Sequence, residues 1–313
     1  MNNLQRDQSN NNYDNEIDIY ELFFVLWSRK FYILGITTVF AFISIQYALM
    51  LPNIYKSKAV MMPVESGSGG RVIGQYSRMA SLAGISLPSE SGSKSKEAIA
   101  RIQSFEFFSN HFLPNVMLEN LIAVKEWNQE NNTLAYEENI FNIESNKWVR
   151  KVEPPKSIIP SPQEAYIIYK NIISIEEGND SLFISLSIKH KSPFIAQQWV
   201  QLIIDRIDYV MREKDKQEAM KSVKYLNSLA PTVKYEEIKK ALSSLQQEQM
   251  KQLMMVEASE NYIFKVLDSP IVPEARAEPQ RSKIVILFTM IGLMLSVIGS
   301  LAFHFLKKSY SHS

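Results

Sequence analysis

The chain has 313 residues, with 34 Lys+Arg against 33 Asp+Glu and a formal net charge of +1. That near-neutral balance gives no hint of a nucleic-acid surface. Cysteine is absent, which excludes disulfides, a thiol nucleophile and cysteine-ligated metals. The histidines His111, His190, His304 and His312 stand apart, with no pair at helical ligand spacing, so neither a metal site nor a cofactor is expected.

Residues 1–30 carry five acidic side chains ahead of the first apolar run, FYILGITTVFAFISIQYALML, which covers Phe31–Leu51 in 21 residues without a charge. As a helix it is about 30 Å long, the hydrocarbon thickness of a bilayer. It is too long for the apolar region of a signal peptide, and no small-x-small cleavage site follows, so it reads as an uncleaved anchor. YKSKAVMMPV, Tyr55–Val64, alternates as a strand. A Ser/Gly-rich stretch then leads to RVIGQYSRMASLAGI, read as a short helix inside a linker, with no GxxxxGK[ST] phosphate loop. KSKEAIARIQSFEFFSNHFL, from Lys94, predicts an amphipathic helix with Ile99, Ile102, Phe105 and Phe108 or Phe112 on one side, and Phe107 and Phe108 read as core.

Asn115–Pro162 is polar, with prolines at 154, 155, 160 and 162, and predicts a helix followed by a loop. NIISIEEGNDSLFISLSIKH predicts a β-hairpin turning at Gly178-Asn179-Asp180. Ser192 caps a helix with Pro193 at its first position, and Ala230-Pro231 ends it, so it is expected over about 192–229, roughly 55 Å. Its first half carries an apolar stripe through Ile195, Trp199, Ile203, Ile207 and Met211. The second half, REKDKQEAMKSVKY, is charged nearly all round and is expected to project into solvent or line a subunit contact. A second helix, about 233–259, has Ile238, Leu242, Leu245, Leu253 and Val256 on one side, and the pair reads as a helical arm. IFKVLD, Ile263–Asp268, returns as a strand, expected to share one sheet with Tyr55–Val64 and the hairpin.

Pro270, Pro273 and Pro279 follow. Proline fixes φ and has no N–H to donate, so helix cannot run through this stretch. A short extended connector is expected, ending at Arg281 and Lys283 near headgroups. The second apolar run, IVILFTMIGLMLSVIGSLAFHFL, Ile284–Leu306, has 23 residues with His304 as its one ionisable group. His304 is read as snorkelling to the interface. Gly292, Ser296 and Gly299 either admit another helix or are tolerated facing lipid.

Arg29 and Lys30 precede the first run, and Lys307 and Lys308 follow the second, which favours both termini in the cytoplasm. Lys56, Lys58, Arg281 and Lys283 weigh against this, but long loops translocate largely regardless of charge. The expected layout is 1–30 cytoplasmic, 31–51 spanning, 52–283 across the membrane, 284–306 spanning and 307–313 a cytoplasmic tail. The fold class is an α+β membrane protein, two transmembrane helices flanking an α/β base with a long helical arm. The sequence has no GxSxG, no HExxH and no convergent carboxylate pair, since Glu176-Glu177 and Glu236-Glu237 are adjacent and face different ways. An enzyme is not expected. The glycosylation sequons at Asn131 and Asn179 are short enough to arise by chance.

In this order, EIDIYELFFVLWSRKFYI (Glu16–Ile33), LPNIYKSKAVMMPV (Leu51–Val64), SLAGISLP (Ser81–Pro88) and FKVLDSPIVPEARAEPQR (Phe264–Arg281), with Gly292 and Gly299, resemble the Wzz-type chain-length determinants, the bacterial polysaccharide co-polymerases. A departure is Ala275-Arg276-Ala277, where many relatives carry another proline. The resemblance implies a periplasmic base and arm assembled as a bell-like homo-oligomer in the inner membrane. It also implies a non-catalytic role. The protein would set the modal length of a surface polysaccharide, typically lipopolysaccharide O-antigen, built on a lipid-linked carrier by a Wzy-type polymerase. A rival within the family is a capsule or exopolysaccharide adaptor working with a separate tyrosine kinase. A two-span receptor lacks an output domain here, and a glycan-processing enzyme lacks an acid/base pair.

Overall fold

The chain folds as two units, Met1–Pro52 with Glu278–Ser313, and Asn53–Ala277. The computed structural model describes residues 19–64, 90–178 and 183–310. The readings at 65–89, including the short linker helix and SLAGISLP, and the turn residues Asn179 and Asp180, lie outside the described residues.

In the larger unit, four antiparallel strands form one sheet in the order β6-β7-β1-β8. They are β1 (Tyr55–Pro63), β6 (Ile173–Glu177), β7 (Ile184–His190) and β8 (Phe264–Asp268). The expected grouping of the early strand, the hairpin and the return strand is therefore the observed one. Register is set by alternation: Tyr55, Ser57, Ala59 and Met61 of β1 are buried in turn. Ala59 pairs with Leu186, and Met61 with Ile184. A one-residue slip would turn this whole set to the other face. The hairpin closes with the Gly178 N–H donating to the Phe183 carbonyl at 2.8 Å.

Helix α6 (Pro193–Leu229) packs its apolar stripe on this sheet. Ser192 caps it, its Oγ accepting from the Ile195 N–H. The Ser192 N–H in turn donates to His190 Nδ1 at 2.9 Å, while His190 Nε2 faces the Asn120 carbonyl at 2.9 Å. Nδ1 must accept, so Nε2 carries the proton. Burial holds this imidazole below its usual pKa.

The expected helix from Lys94 is shorter than its pattern. Helix α3 (Glu90–Ile102) stops, Ser104 caps a new turn at Phe105–Phe107, and a π-helical turn covers Phe108–Phe112. The break lets Phe107, Phe108 and Phe112 all enter the core while Phe105 stays 40% exposed. Phe108 and Phe112 each lie 4.9 Å from the Tyr169 ring of α5 (Pro162–Ile172), and Phe112 meets Trp199 edge-on at 5.5 Å. Tyr169 is fully buried and donates its hydroxyl to the Ile102 carbonyl at 2.9 Å. A buried phenol needs such an acceptor.

Asn115–Pro162 is not a helix followed by a loop. After α4 (Leu118–Ile122) come two small hairpins, β2 (Val124–Asn128) with β3 (Thr133–Tyr136), and β4 (Phe141–Asn142) with β5 (Lys147–Trp148). Asn132 and Asn146 take φ of 49° and 52° at the turns, which asparagine tolerates better than most side chains. Trp127 of β2 packs edge-on against Tyr55 at 5.5 Å and Phe194 at 6.0 Å, fixing the first hairpin to the sheet and α6. Arg150 grips Glu164 through two bonds at 2.6 and 3.0 Å. That pairing holds the Glu164 carboxyl at about 2.

Candidate functional site

Three features bear on function: a pair of apolar helices, the proline connector, and the root of the arm.

The smaller unit contains α1 (Ile19–Ser28), α2 (Lys30–Met50) and α8 (Arg281–Tyr310). Both α2 and α8 are long and apolar enough to cross a membrane. Phe31, Val39, Leu287 and Met294 are each more than half exposed, so the chain does not bury these helices as its own core. They run antiparallel side by side. Arg29 stacks over Phe303 at 4.6 Å, Phe40 meets Gly292, Tyr47 lies 6.1 Å from Phe288, and Arg281 reaches the Leu51 carbonyl at 3.4 Å. A Cβ on Gly292 would sit 2.6 Å from the Phe40 Cβ and 2.7 Å from its Cγ. Gly292, Ser296 and Ser300, four residues apart, make the buried face, and Ser296 satisfies itself on the Leu293 carbonyl at 2.7 Å. Gly299 lies off that face, and a Cβ added there would meet no other part of the described residues within 4 Å beyond its own stretch of helix. The three small residues singled out in the sequence thus divide: Gly292 is buried against Phe40 of α2, Ser296 is buried, and Gly299 is exposed.

The connector, 269–280, contains no helix. It runs beside the segment that leaves α2: the Ser57 Oγ donates to the Ile271 carbonyl at 2.8 Å, and the Ala277 N–H donates to the Ile54 carbonyl at 2.8 Å. A proline at 277 would lack that N–H. The alanine therefore permits a backbone tie that proline at this position would remove. Pro270 is buried, and Pro273 and Pro279 are half-buried. Helix α8 starts at Arg281, whose guanidinium sits at the C-terminal end of α2, where a positive charge is favoured. The Ser57→Ala variant should free the connector locally. Trypsin cleavage of the folded variant after Arg276 should be about fivefold faster than that of the native protein, as expected for losing one hydrogen bond of about 1 kcal/mol. An unchanged cleavage rate would show that this bond does not hold the connector.

The arm consists of α6 and α7 (Glu236–Ala258), joined by a 3-10 turn at Ala230–Thr232. Of the stripe expected on α7, Leu242 and Val256 are buried, while Ile238 and Leu245 are about half exposed. The charged half of α6 does not simply face solvent. Asp215 is 5% exposed, accepting from Lys94 Nζ at 2.6 Å and from the Tyr262 hydroxyl at 2.5 Å. Burial, with Asp215 beside it, pushes the Tyr262 hydroxyl well above its usual pKa. Asp208 Oδ1 accepts the N–H groups of Tyr262 and Ile263 at 2.9 and 3.1 Å. Arg212 pairs with Asp208 at 2.8 Å and donates to the carbonyls of Val256 and of Ser259, the latter at 2.8 Å. Arg212 thus neutralises the C-terminal end of α7. These four charged groups clamp the chain as it returns from the arm to β8, and sequence reasoning missed them. The signal was the Asp208/Arg212 pair one turn apart, where the apolar stripe thins out, but its partners are distant in sequence.

Among the described residues no His, Asp or Glu cluster fit for a metal occurs. With this geometry in view, comparison with known proteins is informative over the first third of the chain. Residues 15–112 match the Wzz family model, chain length determinant protein. The Wzz stretch includes α1, α2, β1, α3 and the π-helical turn. Among solved structures, a full-length bacterial polysaccharide co-polymerase is similar at 15% identity, covering 93% of this chain and 99% of its own, with a TM-score of 0.41. A fragment of WzzB, a polysaccharide co-polymerase from Salmonella Typhimurium, is 14% identical over 72% of this chain and 100% of its own, with a TM-score of 0.30. A mutant of the Shigella flexneri lipopolysaccharide O-antigen chain-length regulator is 11% identical over 71% of this chain and 99% of its own, with a TM-score of 0.23. No curated protein matches the sequence.

Proposed function

We propose that this chain is a polysaccharide co-polymerase, setting the modal chain length of a surface polysaccharide, lipopolysaccharide O-antigen in the first instance. It would act as a homo-oligomeric scaffold in the bacterial inner membrane beside a Wzy-type polymerase that extends a lipid-linked polysaccharide. It would do so without catalysis of its own. The observation that carries this reading is the Wzz match over 15–112 leading into an α/β base and a helical arm of 37 and 23 residues.

In this reading both termini are cytoplasmic and 52–283 is periplasmic. Pro270, Pro273, Pro279 and Arg281 form a stiff joint that keeps α8 from merging with β8. Gly292 and Ser296 serve the α2–α8 pair, which leaves Gly299 as the position open to another helix, such as one of the polymerase. The test is a gel profile of surface polysaccharide from cells lacking the gene, with and without the intact protein restored. A random distribution that becomes a narrow band of long chains supports length control. A change in polymer amount at constant length points instead to an export adaptor working with a kinase. No change in either overturns both.

A further inference from the structure

Where the arm leaves the base, a groove of about 300 Å³ opens along one face of α6, the lower end of the size range for small-ligand sites. Tyr209, Glu213, Gln217 and Lys221 line it at intervals of four residues, so they form one row along the helix. His111, from the π-helical turn, also lines it. Tyr209 is 54% exposed and open to a ligand in the groove.

The polar groups are already ordered by one another. Gln217 donates to Glu213 at 2.8 Å, and Lys214 bridges Glu97 at 2.6 Å and Glu218 at 3.8 Å. The two lysines of the lining are matched by its two glutamates. A phosphate or polyanion finds no excess of cations here. A metal finds no qualifying cluster of ligands among the described residues. Burial, opposed by Glu106 and helped by Arg206, holds the His111 imidazole below its usual pKa, and the neutral ring offers one donor and one acceptor. A charge-balanced row of amide, carboxylate and ammonium beside an open aromatic face suits a ligand with many hydroxyls and an apolar C–H face.

We infer that this groove binds an uncharged sugar residue of the polysaccharide, stacked on Tyr209, with its hydroxyls held by Glu213 and Gln217. The inference rests on the proposed function and names the surface of the chain that meets the glycan. The test uses the purified full-length protein in detergent. The probe is polysaccharide released from the source cells by mild acid and freed of lipid, followed by calorimetry and saturation-transfer NMR. Tyr209→Ala and Gln217→Ala should each weaken binding about tenfold, with the melting temperature unchanged. Tyr225→Ala, farther out on the same helix and 63% exposed, should leave binding as it was.

Absence of binding by the native protein, equal weakening by all three variants, or undiminished binding by Tyr209→Ala would overturn the assignment. The two readings fail separately. If deletion of the gene abolishes length control but Tyr209→Ala binds undiminished, the groove is wrong and the function stands. If deletion leaves length unchanged but binding depends on Tyr209 and Gln217, the function is wrong and the groove stands.

Discussion

Replacing Asp208 with alanine should destabilise the larger unit by about 2–4 kcal/mol, because two backbone N–H groups lose their acceptor and one cation loses its partner. The Tyr262 and Ile263 amides both donate to Asp208 Oδ1, and Ile263 is 3% exposed. The Asp208 side chain is 26% exposed, so water recovers part of the lost bonding and the loss stays within that range. Arg212 would keep its carbonyl acceptors at the end of α7 but lose the 2.8 Å pair with Asp208. The expected result is a lower urea midpoint and faster hydrogen exchange at Tyr262 and Ile263. Asp208→Asn, which retains one acceptor oxygen, should fall between the two. A midpoint for Asp208→Ala that matches the native protein, with both amides still protected, would show that the return turn is held by packing alone.

The second large effect is expected in the helix pair. Gly292→Leu would bring a side chain into space already occupied by Phe40, whose Cβ and Cγ lie 2.6 and 2.7 Å from the site of a new Cβ. Those atoms are rooted close to the α2 backbone, so the helices themselves must separate or rotate, at a cost of about 1–3 kcal/mol. Because the chain has no cysteine, the pairing can be read by oxidative cross-linking of a Tyr47→Cys, Phe288→Cys variant, in which the native rings lie 6.1 Å apart. Adding Gly292→Leu should slow the cross-link about tenfold, and Phe40→Ala should restore it. Gly299→Leu, at an open position, should have no effect on this cross-link. Equal rates for the native and Gly292→Leu backgrounds would mean that the two helices are not held by this contact.

Much of the architecture was legible from local pattern. Two charge-free runs, the Ser192-Pro193 start of α6 and the alternation in β1 and β7 each encode their element within a few residues. Closing the sheet from β1, the hairpin and β8 was inferable because strands at the two ends of the loop both adjoin the apolar runs. The hairpins at 124–136 and 141–148 were not. Their strands are two to five residues long, too short for alternation to show, and their asparagine turns look like any polar loop. The break after Ile102 was also hidden, since Ser104 acts as a cap only when the three buried phenylalanines beyond it have a core to enter.

By itself the sequence determined which segments are apolar, where proline stops a helix, and that no thiol or cysteine-metal chemistry occurs, because each of these follows from residue type over a few neighbours. The tertiary structure alone decided what those segments meet. Gly292 matters because Phe40 is there, and Ala277 because the Ile54 carbonyl needs its N–H. Asp208, Arg212, Asp215 and Lys94 become a clamp only when the arm has turned back and brought 256–263 beside α6. Such contacts depend on groups tens to hundreds of residues apart, and no local preference of the chain encodes their distance.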